Sequence, residues 1–409
     1  MTRAEIQQKA VELYKNNSHL LLQWCTGLGK TKAAIDIIKY TQSTLNRRAY
    51  ILLVVAEIAH KKNWGEEFDK WELDPLKTSI VTVTYASLKN YKEETFDLVI
   101  LDEAHHAGSD LRLEILNSID AKKVLALSAT MPFNTQNNLN QSFNNIFTVY
   151  TISLQEAINW GILPQPQLFL IPMELDNENI TQEYIKEWGT KSKRITIQCD
   201  VNTKWDYMKN KKEYPHVKLI IKCTELQKYL NLTSEADYYK MLFFRTRNIG
   251  IKNKWLQLGS ERKRYLGNLK DNKAKEVLSL LKGKRYVCFC TSIEQAENLG
   301  KENAIHSQKK ESLDIIDSFN KKEIDSLYAI GMIQEGQNLV DIEAGVIVQL
   351  DGQERAFVQK SGRAMRAEEP IIFILYYKGT RDEEYLNKAL EDINPDYIRY
   401  IYNLNELEL

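Results

Sequence analysis

Residues 20–39 read LLLQWCTGLGKTKAAIDIIK, and this stretch decides the fold class. Leu20, Leu21 and Leu22 form a short apolar run that is typical of a buried strand, and residues 26–29 form a turn with two glycines. The alanines and isoleucines that follow recur at helical spacing. A strand, a glycine-containing turn, a Lys-Thr pair and a helix are together the layout of a loop that binds phosphate.

Each part of this loop has a chemical reason. Gly27 and Gly29 allow consecutive backbone N–H groups to point at phosphate oxygens, and the helix start adds a positive end. The Lys30 ammonium can reach the outer phosphates of a nucleotide, and the Thr31 hydroxyl can ligate Mg²⁺. Trp24 stands where the strict motif has a glycine. The alternative is an ordinary strand–turn–helix unit with an exposed lysine.

Composition limits the class of protein. The 409 residues, 43% hydrophobic and 27% charged, are enough for two ordinary domains. Five cysteines, an odd and small number, argue against a disulfide framework. No apolar run has the length of a membrane span or the pattern of a signal peptide, so we expect no membrane partner. The expected location is cytoplasmic, either bacterial cytosol or the host cytoplasm of a phage-encoded protein.

The zero net charge hides one basic region. Residues 186–285 contain 25 Lys and Arg against 10 Asp and Glu. This excess predicts a surface that binds a polyanion, with a solvated lysine-rich helical face as the alternative. Within the region, Arg262, Lys263 and Arg264 are the candidates for exposed phosphate contacts.

Aromatic residues are interleaved with these basic ones. We expect most of them to form the core of a small helical subdomain, with stacking on nucleic-acid bases as the alternative. They are Trp188, Trp205, Tyr207, Phe243, Phe244 and Trp255.

Polar clusters follow several apolar strands of the first 130 residues. These strands alternate with helical segments, which favours a parallel sheet covered on both faces. Ligands collect at the carboxyl ends of such strands. Asp102 could hold Mg²⁺ and Glu103 could orient or deprotonate a water, although an acidic pair after a strand can also be a helix cap. The other clusters contain Thr84 and Tyr85, and Ser128 and Thr130.

Two further groups are candidates for nucleotide contacts. Gln7 lies upstream of the loop, and its amide can pair with both edges of adenine, although a surface glutamine is the plain alternative. A second series of apolar strands lies between residues 286 and 377. Arg363 and Arg366 follow the third of these strands three residues apart, so they share a helix face and could clamp a triphosphate.

Taken in order, these segments resemble the motifs of a superfamily 2 helicase. The chain is most similar to phage and bacterial DNA helicases of the type III restriction-like group, including phage recombination helicases. That finer similarity lies in residues 54–64, 153–163 and 261–275. The motif matches are TGLGKT at 26–31, TYASL at 84–88, DEAH at 102–105, SAT at 128–130, YVCFCTS at 286–292, QEGQNL at 334–339 and QKSGRAMR at 359–366.

The resemblance implies an α/β fold of two tandem RecA-like domains with parallel sheets, a basic, mostly helical insertion and C-terminal helices. The implied boundaries are 1–164 for the first domain, 165–272 for a connecting strand and the insertion, 273–380 for the second domain and 381–409 for the C-terminal helices.

The resemblance also implies residue roles. ATP would be the nucleotide and Mg²⁺ its metal, held by Thr31 and Asp102. Glu103 would position the hydrolytic water, and Ser128 and Thr130 would couple hydrolysis to motion. Catalytic residues would be Lys30, Asp102, Glu103, Gln359, Arg363 and Arg366; ATP-binding residues would be Gln7, Thr26, Gly27, Leu28, Gly29, Lys30, Thr31 and Gly336; and nucleic-acid contacts would come from Thr84, Tyr85, Arg262, Lys263 and Arg264.

The implied activity is ATP-dependent unwinding or remodelling of single-stranded, forked or branched DNA. Three alternatives stay open: the motor subunit of a restriction or defence complex, an RNA helicase, and a nucleotide-switched scaffold that binds nucleic acid without turnover. The resemblance also implies a possible protein partner in a replication, recombination or defence complex.

Overall fold

The computed structural model describes residues 1–330, 339, 341–350, 370–391 and 393–407. It contains two parallel sheets with helices on their faces, which confirms the predicted fold class. Within the described ranges, no helix combines the length and the apolar composition needed to cross a lipid bilayer.

The first domain is built on a six-stranded sheet in the order β3-β2-β5-β7-β1-β8, with every pair parallel. Its strands and the short pair β4 and β6 are β1 (His19–Trp24), β2 (Ala49–Val55), β3 (Thr78–Thr84), β4 (Thr95–Phe96), β5 (Leu98–Leu101), β6 (Asp120–Ala121), β7 (Val124–Ser128) and β8 (Thr148–Ile152). Its helices are α1 (Arg3–Asn16), α2 (Lys30–Thr44), α3 (Ile58–Lys70), α4 (Asp110–Asn117), α5 (Phe133–Ser142) and α6 (Leu154–Asn159).

Both faces of this sheet are buried because its strands alternate between two apolar cores. On β1, Leu20 and Leu22 pack in the core that includes residues of α1 and α2, whereas Leu21 faces the core of α4 and α5. Replacing a buried leucine of this kind by alanine lowers the free energy of unfolding by about 2–5 kcal/mol. The apolar run that predicted a buried strand is therefore explained by helices on both sides.

A buried carboxylate ties three strands of this sheet together. Asp97, just before β5, accepts hydrogen bonds from Arg47 Nη1 at 2.7 Å, from Lys122 Nζ at 3.0 Å and from the Tyr50 N–H at 3.0 Å. Burial alone would raise the pKa of Asp97, but these hydrogen bonds outweigh it and lower the pKa to about 2. Asp97 is therefore ionised at neutral pH, and its hydrogen bonds connect the starts of β2, β5 and β7.

The second domain is built on a seven-stranded sheet in the order β14-β15-β13-β16-β17-β9-β18, again with every pair parallel. Its strands are β9 (Gln167–Met173), β13 (Tyr286–Phe289), β14 (Ala304–Ile305), β15 (Ser326–Ala329), β16 (Ala344–Ile347), β17 (Ile371–Tyr377) and β18 (Ile398–Tyr400). Its helices are α10 (Asp271–Leu280), α11 (Ile293–Gly300), α12 (Ser312–Asn320) and α13 (Arg381–Leu390).

Two features of this sheet differ from the expectation. Strand β9, which the sequence grouped with the insertion, pairs along its whole length with β17. The region after residue 380, expected to be helical, contains one α-helix and then β18, which pairs with the other edge of β9. The edge of β9 that does not pair with β17 has free backbone N–H and C=O groups. Pairing with β18 satisfies these groups, which favours a strand at this position.

The segment between β9 and α10 is the basic, mostly helical subdomain that was expected, and it also contains a three-stranded sheet that the sequence did not predict. It contains β10 (Gln182–Trp188), β11 (Ile195–Asp200) and β12 (Val217–Cys223), with β12 in the centre, antiparallel to β10 and parallel to β11. The short helix α7 (Lys204–Lys209) precedes β12. Two long helices, α8 (Glu225–Thr246) and α9 (Ile249–Leu269), then form an antiparallel hairpin.

A buried lysine anchors the base of this hairpin in the second domain. Lys270, which follows α9, is fully buried and forms an ion pair with Asp382 Oδ2 at 2.7 Å. Its Nζ also donates to Val348 O at 2.9 Å, Gln349 Oε1 at 2.8 Å and Leu375 O at 3.0 Å. These acceptors compensate for the cost of burying the charge.

Candidate nucleotide site

The turn between β1 and α2, residues 26–30, is called the phosphate loop here. Gly27 and Gly29 have φ angles of +94° and +83°, a region that favours glycine. Gly29 is the residue before the first turn of α2, so the free N–H groups of that helix open onto the loop. The local conformation therefore requires both glycines at the positions where the sequence has them.

Lys30 is the last residue of this loop, and Trp24, at the end of β1, lies just before it. Lys30 Nζ donates to the Trp24 carbonyl oxygen at 2.9 Å. The Trp24 side chain is buried and meets the ring of Tyr150 edge-on, with centroids 5.5 Å apart. A tryptophan is compatible with this position because the loop uses its backbone carbonyl, whereas its ring belongs to the core.

Gln7 lies against the phosphate loop. A Cβ atom on Gly29 would lie only 2.5 Å from Gln7 Nε2, so glycine leaves the space that this amide occupies. Ile6 and Ala10, on either side of Gln7 along α1, are fully buried and fix the helix against the domain. The structure thus brings Gln7 to the loop, and its contact with adenine stays a prediction.

The acidic pair follows β5, and a helix outside the predicted motifs holds its first member. Asp102 Oδ2 accepts from Trp64 Nε1 at 2.8 Å, and His60 Nδ1 lies 3.7 Å from the same oxygen. Trp64 and His60 are both 3% exposed and lie four residues apart on one face of α3. Sequence reasoning missed both residues, although their i, i+4 spacing was the signal that could have paired them.

Glu103 is joined to the end of β7 through a histidine. Its backbone adopts a left-handed conformation with φ of +46°, which is uncommon for glutamate. Glu103 Oε2 lies 3.4 Å from His105 Nδ1, which lies 3.1 Å from Ser128 Oγ. Ser128 Oγ donates to the Thr130 carbonyl oxygen at 2.6 Å, so His105 Nδ1 must be the donor to Ser128. The DEAH and SAT segments therefore share one hydrogen-bonded chain.

The strand order places these groups at one edge of the sheet. Strand β7 lies between β1 and β5, so the phosphate loop, the Ser128 turn and the acidic pair follow three adjacent strands. With a strand spacing of about 4.8 Å, the ends of β1 and β5 lie about 10 Å apart. This distance suits a nucleotide polyphosphate lying between the loop and the carboxylates.

Thr84 and Tyr85 do not offer their side chains to nucleic acid, and this corrects the prediction. Tyr85 is 2% exposed, and its hydroxyl donates to the Asp102 carbonyl oxygen at 3.0 Å. Thr84 is also buried, with its Oγ1 3.1 Å from Ser87 Oγ. Burial, followed by the charges of Asp102 and Glu103, raises the pKa of Tyr85 well above its usual value. Tyr85 therefore supports the acidic turn as a neutral phenol.

Arg262 is likewise not the exposed residue that was predicted. It is 9% exposed and lies on the same face of α9 as the buried Leu258 and Leu266, because residues four apart share a helix face. Lys263 is partly exposed and Arg264 is exposed. Only the last two members of this cluster are accessible for phosphate contacts.

The remaining predicted residues lie outside the described residues. They are Gly336, Gln359, Arg363 and Arg366.

Comparison with known proteins gives two family matches. Residues 2–133 match the family described as type III restriction enzyme, res subunit. Residues 269–368 match the helicase conserved C-terminal domain, and this match includes the positions of Gly336, Gln359, Arg363 and Arg366.

Individual relatives are more distant. The chain is 21% identical over 399 residues to the DNA 3'-5' translocase XPB2 of Sulfurisphaera tokodaii, covering 92% of this chain and 82% of the translocase. It is 29% identical over 133 residues to the putative ATP-dependent RNA helicase MJ1505 of Methanocaldococcus jannaschii, covering 28% of this chain and 17% of the helicase. Among solved structures, it resembles the ATP-dependent type ISP restriction-modification enzyme LlaBIII bound to DNA, with a TM-score of 0.57 and 11% identity. That likeness covers 99% of this chain and 31% of the enzyme.

Proposed function

The chain belongs to the superfamily 2 helicases of the type III restriction-like group, and from this premise we propose that it couples ATP hydrolysis to unwinding or remodelling of duplex or branched DNA. The family assignment confirms the resemblance that the sequence motifs predicted. The observation that carries the proposal is the common edge of β1, β7 and β5, where the phosphate loop and the acidic pair lie on either side of the Ser128 turn.

The residues of this edge have complementary tasks in ATP hydrolysis. The phosphate loop surrounds the phosphates with backbone N–H groups, and Lys30, released from the Trp24 carbonyl, neutralises the outer phosphates. Glu103 holds the attacking water, and its carboxylate lies 3.4 Å from His105, which hydrogen-bonds to Ser128. Arg363 and Arg366 stabilise the negative charge that develops on the transferred phosphoryl group.

The same residues fit a magnesium ion. Asp102 Oδ1 accepts only the N–H of Glu103 among the described residues, at 3.1 Å, so it keeps lone pairs for a metal or a metal-bound water. Thr31 is the second residue of α2, directly after the phosphate loop. Mg²⁺ bound there would offset phosphate charge; Asp102 and Thr31 would hold it, and Trp64 would orient Asp102.

Hydrolysis would then be coupled to motion. Ser128 and Thr130 connect the acidic pair to the end of β7, so a change at Glu103 reaches the sheet edge through His105. Loss of the γ-phosphate contacts releases this arrangement, and repeated release and closure moves a bound strand stepwise.

DNA is the proposed substrate, and RNA is the second candidate. The DNA translocase similar over most of the chain supports DNA, whereas the RNA helicase is similar over a shorter segment. A role as the motor of a restriction or defence complex is supported by the type III restriction match, and it would require a partner that supplies the nuclease. If the chain acts as a DNA helicase outside such a complex, its proposed role is in phage-type recombination or replication.

Steady-state ATPase activity tests the proposed function. We expect strong stimulation by forked DNA over no nucleic acid, single-stranded DNA or RNA, and loss of turnover in Glu103→Gln. The Gln variant keeps the size of the side chain, so its folding should match that of the wild type. Stronger stimulation by RNA would assign RNA as substrate, and ATP binding without turnover under every condition would leave the nucleotide-switched scaffold.

A further inference from the structure

The hairpin of α8 and α9 ends in an exposed tip, residues 238–256, called the hairpin tip here. Its turn is closed by two hydrogen bonds. Arg247, with φ of +54°, donates its N–H to Phe243 O at 2.7 Å, and the Asn248 side chain accepts from the Ile251 N–H at 3.2 Å. From Tyr229, buried near the hairpin base, to Arg247, α8 extends about 25 Å.

Aromatic rings cluster at the hairpin tip. The centroids of Phe243 and Trp255 lie 6.0 Å apart, and those of Phe244 and Trp255 lie 6.2 Å apart. Phe244 is 51% exposed, which differs from the core position expected for most of these aromatics. Other large apolar side chains of the tip are also exposed, namely Tyr238, Met241, Ile249 and Leu256. An exposed apolar patch of this kind is typical of a binding surface.

The hairpin tip is also uniformly basic. It contains five Lys and Arg residues and no Asp or Glu. All five are exposed, and none forms an ion pair with another residue in the part of the chain that the structure describes. Three of them contact the rings: Arg247 Cζ lies 5.4 Å from the Phe244 centroid, Lys240 Nζ 5.9 Å from that of Trp255, and Lys252 Nζ 5.9 Å from that of Phe243. The five are Lys240, Arg245, Arg247, Lys252 and Lys254.

We infer that the hairpin tip binds an unpaired nucleic-acid strand. Such a strand combines phosphates, which suit the five cations, with planar bases, which suit the exposed face of Phe244. A continuous duplex stacks its bases on one another, so it offers phosphates without free base faces. The inference rests on the proposed function and deepens it, since it locates a contact with the unpaired strand of the substrate.

The anchoring of the hairpin makes this contact relevant to the motor. Lys270, at the base, bonds to residues that follow β16 and to Asp382 of α13, so the hairpin is fastened to the second domain. The Arg381 N–H also donates to the Tyr229 hydroxyl at 2.9 Å. A strand held at the hairpin tip would therefore be held by the second domain.

Binding of fluorescent single-stranded oligothymidylate to the full chain tests the inference. Phe244→Ala should weaken binding about fivefold or more, because a stacked base is lost, whereas Phe244→Tyr should retain it. Tyr402→Ala, which removes another exposed aromatic, is the matched control. On a strand without bases, the wild type and Phe244→Ala should bind alike.

The charge contribution is measured separately. Lys252→Gln combined with Lys254→Gln should lower the slope of log affinity against log salt by about 1.4, or roughly 0.7 for each phosphate contact. Lys310→Gln combined with Lys321→Gln removes the same charge from exposed positions outside the basic region and should leave the slope unchanged.

The outcomes separate this inference from the proposed function. Tip variants that bind like their controls, while the wild type still binds the strand, would overturn the inference and leave the motor intact. An effect of the lysine pair alone would overturn the stacking contact. A wild type that binds neither DNA nor RNA would overturn both. Tip variants that lose binding to anionic phosphatidylglycerol vesicles but still bind the strand like their controls would assign the tip to lipid.

Discussion

Asp102 depends on a side chain that the helicase motifs do not include. The indole N–H of Trp64 donates to Asp102 Oδ2 at 2.8 Å, and the buried ring holds that donor in place. A carboxylate that ligates a metal loses affinity when the group orienting it is removed. At this scale, the geometry of the proposed metal site depends on α3 as much as on β5.

Trp64→Phe tests this dependence. The ring remains in the core but the donor is lost, so we expect the Mg²⁺ concentration for half-maximal ATPase activity to rise about tenfold or more. Trp71→Phe is the matched control, since Trp71, at the end of α3, donates its Nε1–H to Glu67 at 2.7 Å rather than to Asp102. Equal Mg²⁺ dependence in the two variants would contradict a positioning role for Trp64, and Mg²⁺-dependent binding of a non-hydrolysable ATP analogue gives a readout without turnover.

Single residues also mark the limit of sequence reasoning. The glycines of the phosphate loop were predictable because φ angles of +94° and +83° leave few other choices. Arg262 and Tyr85 were placed wrongly because the type of side chain does not reveal which face of an element is covered. Arg262 is buried since it shares a face with Leu258 and Leu266, and Tyr85 is buried beneath the acidic turn.

At the scale of elements, the buried carboxylate of Asp97 is the clearest test of how the first sheet is held. Arg47→Ala removes two charge-assisted hydrogen bonds to a buried carboxylate, from Nη1 and Nη2, so we expect the free energy of unfolding to fall below that of the wild type. Lys122 and the Tyr50 N–H still hold the carboxylate in this variant. Urea denaturation at neutral pH measures the loss.

The same interaction has a defined pH dependence. The pKa of Asp97 is about 2 in the folded chain against an ordinary value of 3.8, so its stabilisation is complete above pH 3.8 and is lost as the pH falls through 2. The stability difference between the wild type and Arg47→Ala should therefore be constant at higher pH and shrink below pH 3.8. A difference that grows on acidification would contradict this ion pair.

Elements with strong apolar runs were predictable, and elements formed by pairing were not. The apolar run at residues 20–22 lies in β1, and the apolar strands expected between residues 286 and 377 include β13 and β17. By contrast, β18 is only three residues long and is defined by its pairing with β9. The three strands of the insertion alternate between a small core and solvent, so their mean composition is too polar to distinguish them from helices.

At the scale of the whole molecule, the proposal requires both domains to act on one nucleotide. Arg363→Ala should lower the turnover number far more than it lowers ATP affinity, because an arginine finger acts mainly on the charge of the transition state. Pre-steady-state and equilibrium measurements with ATP separate the two quantities. Lys378→Ala, which removes a cation paired with Glu174 at 3.6 Å, serves as a control. Equal losses in turnover and affinity would remove the finger role.

The position of β9 has a consequence for how the chain acquires its structure on the ribosome. The first sheet is complete at Ile152, so it can form while the rest of the chain is still being synthesised. Strand β9 is made next but must wait about 200 residues for β17 and still longer for β18. At roughly 5–20 residues per second, its apolar edges stay without neighbours for about 10–40 s. Nascent chains halted in this interval should be the ones that chaperones bind most strongly.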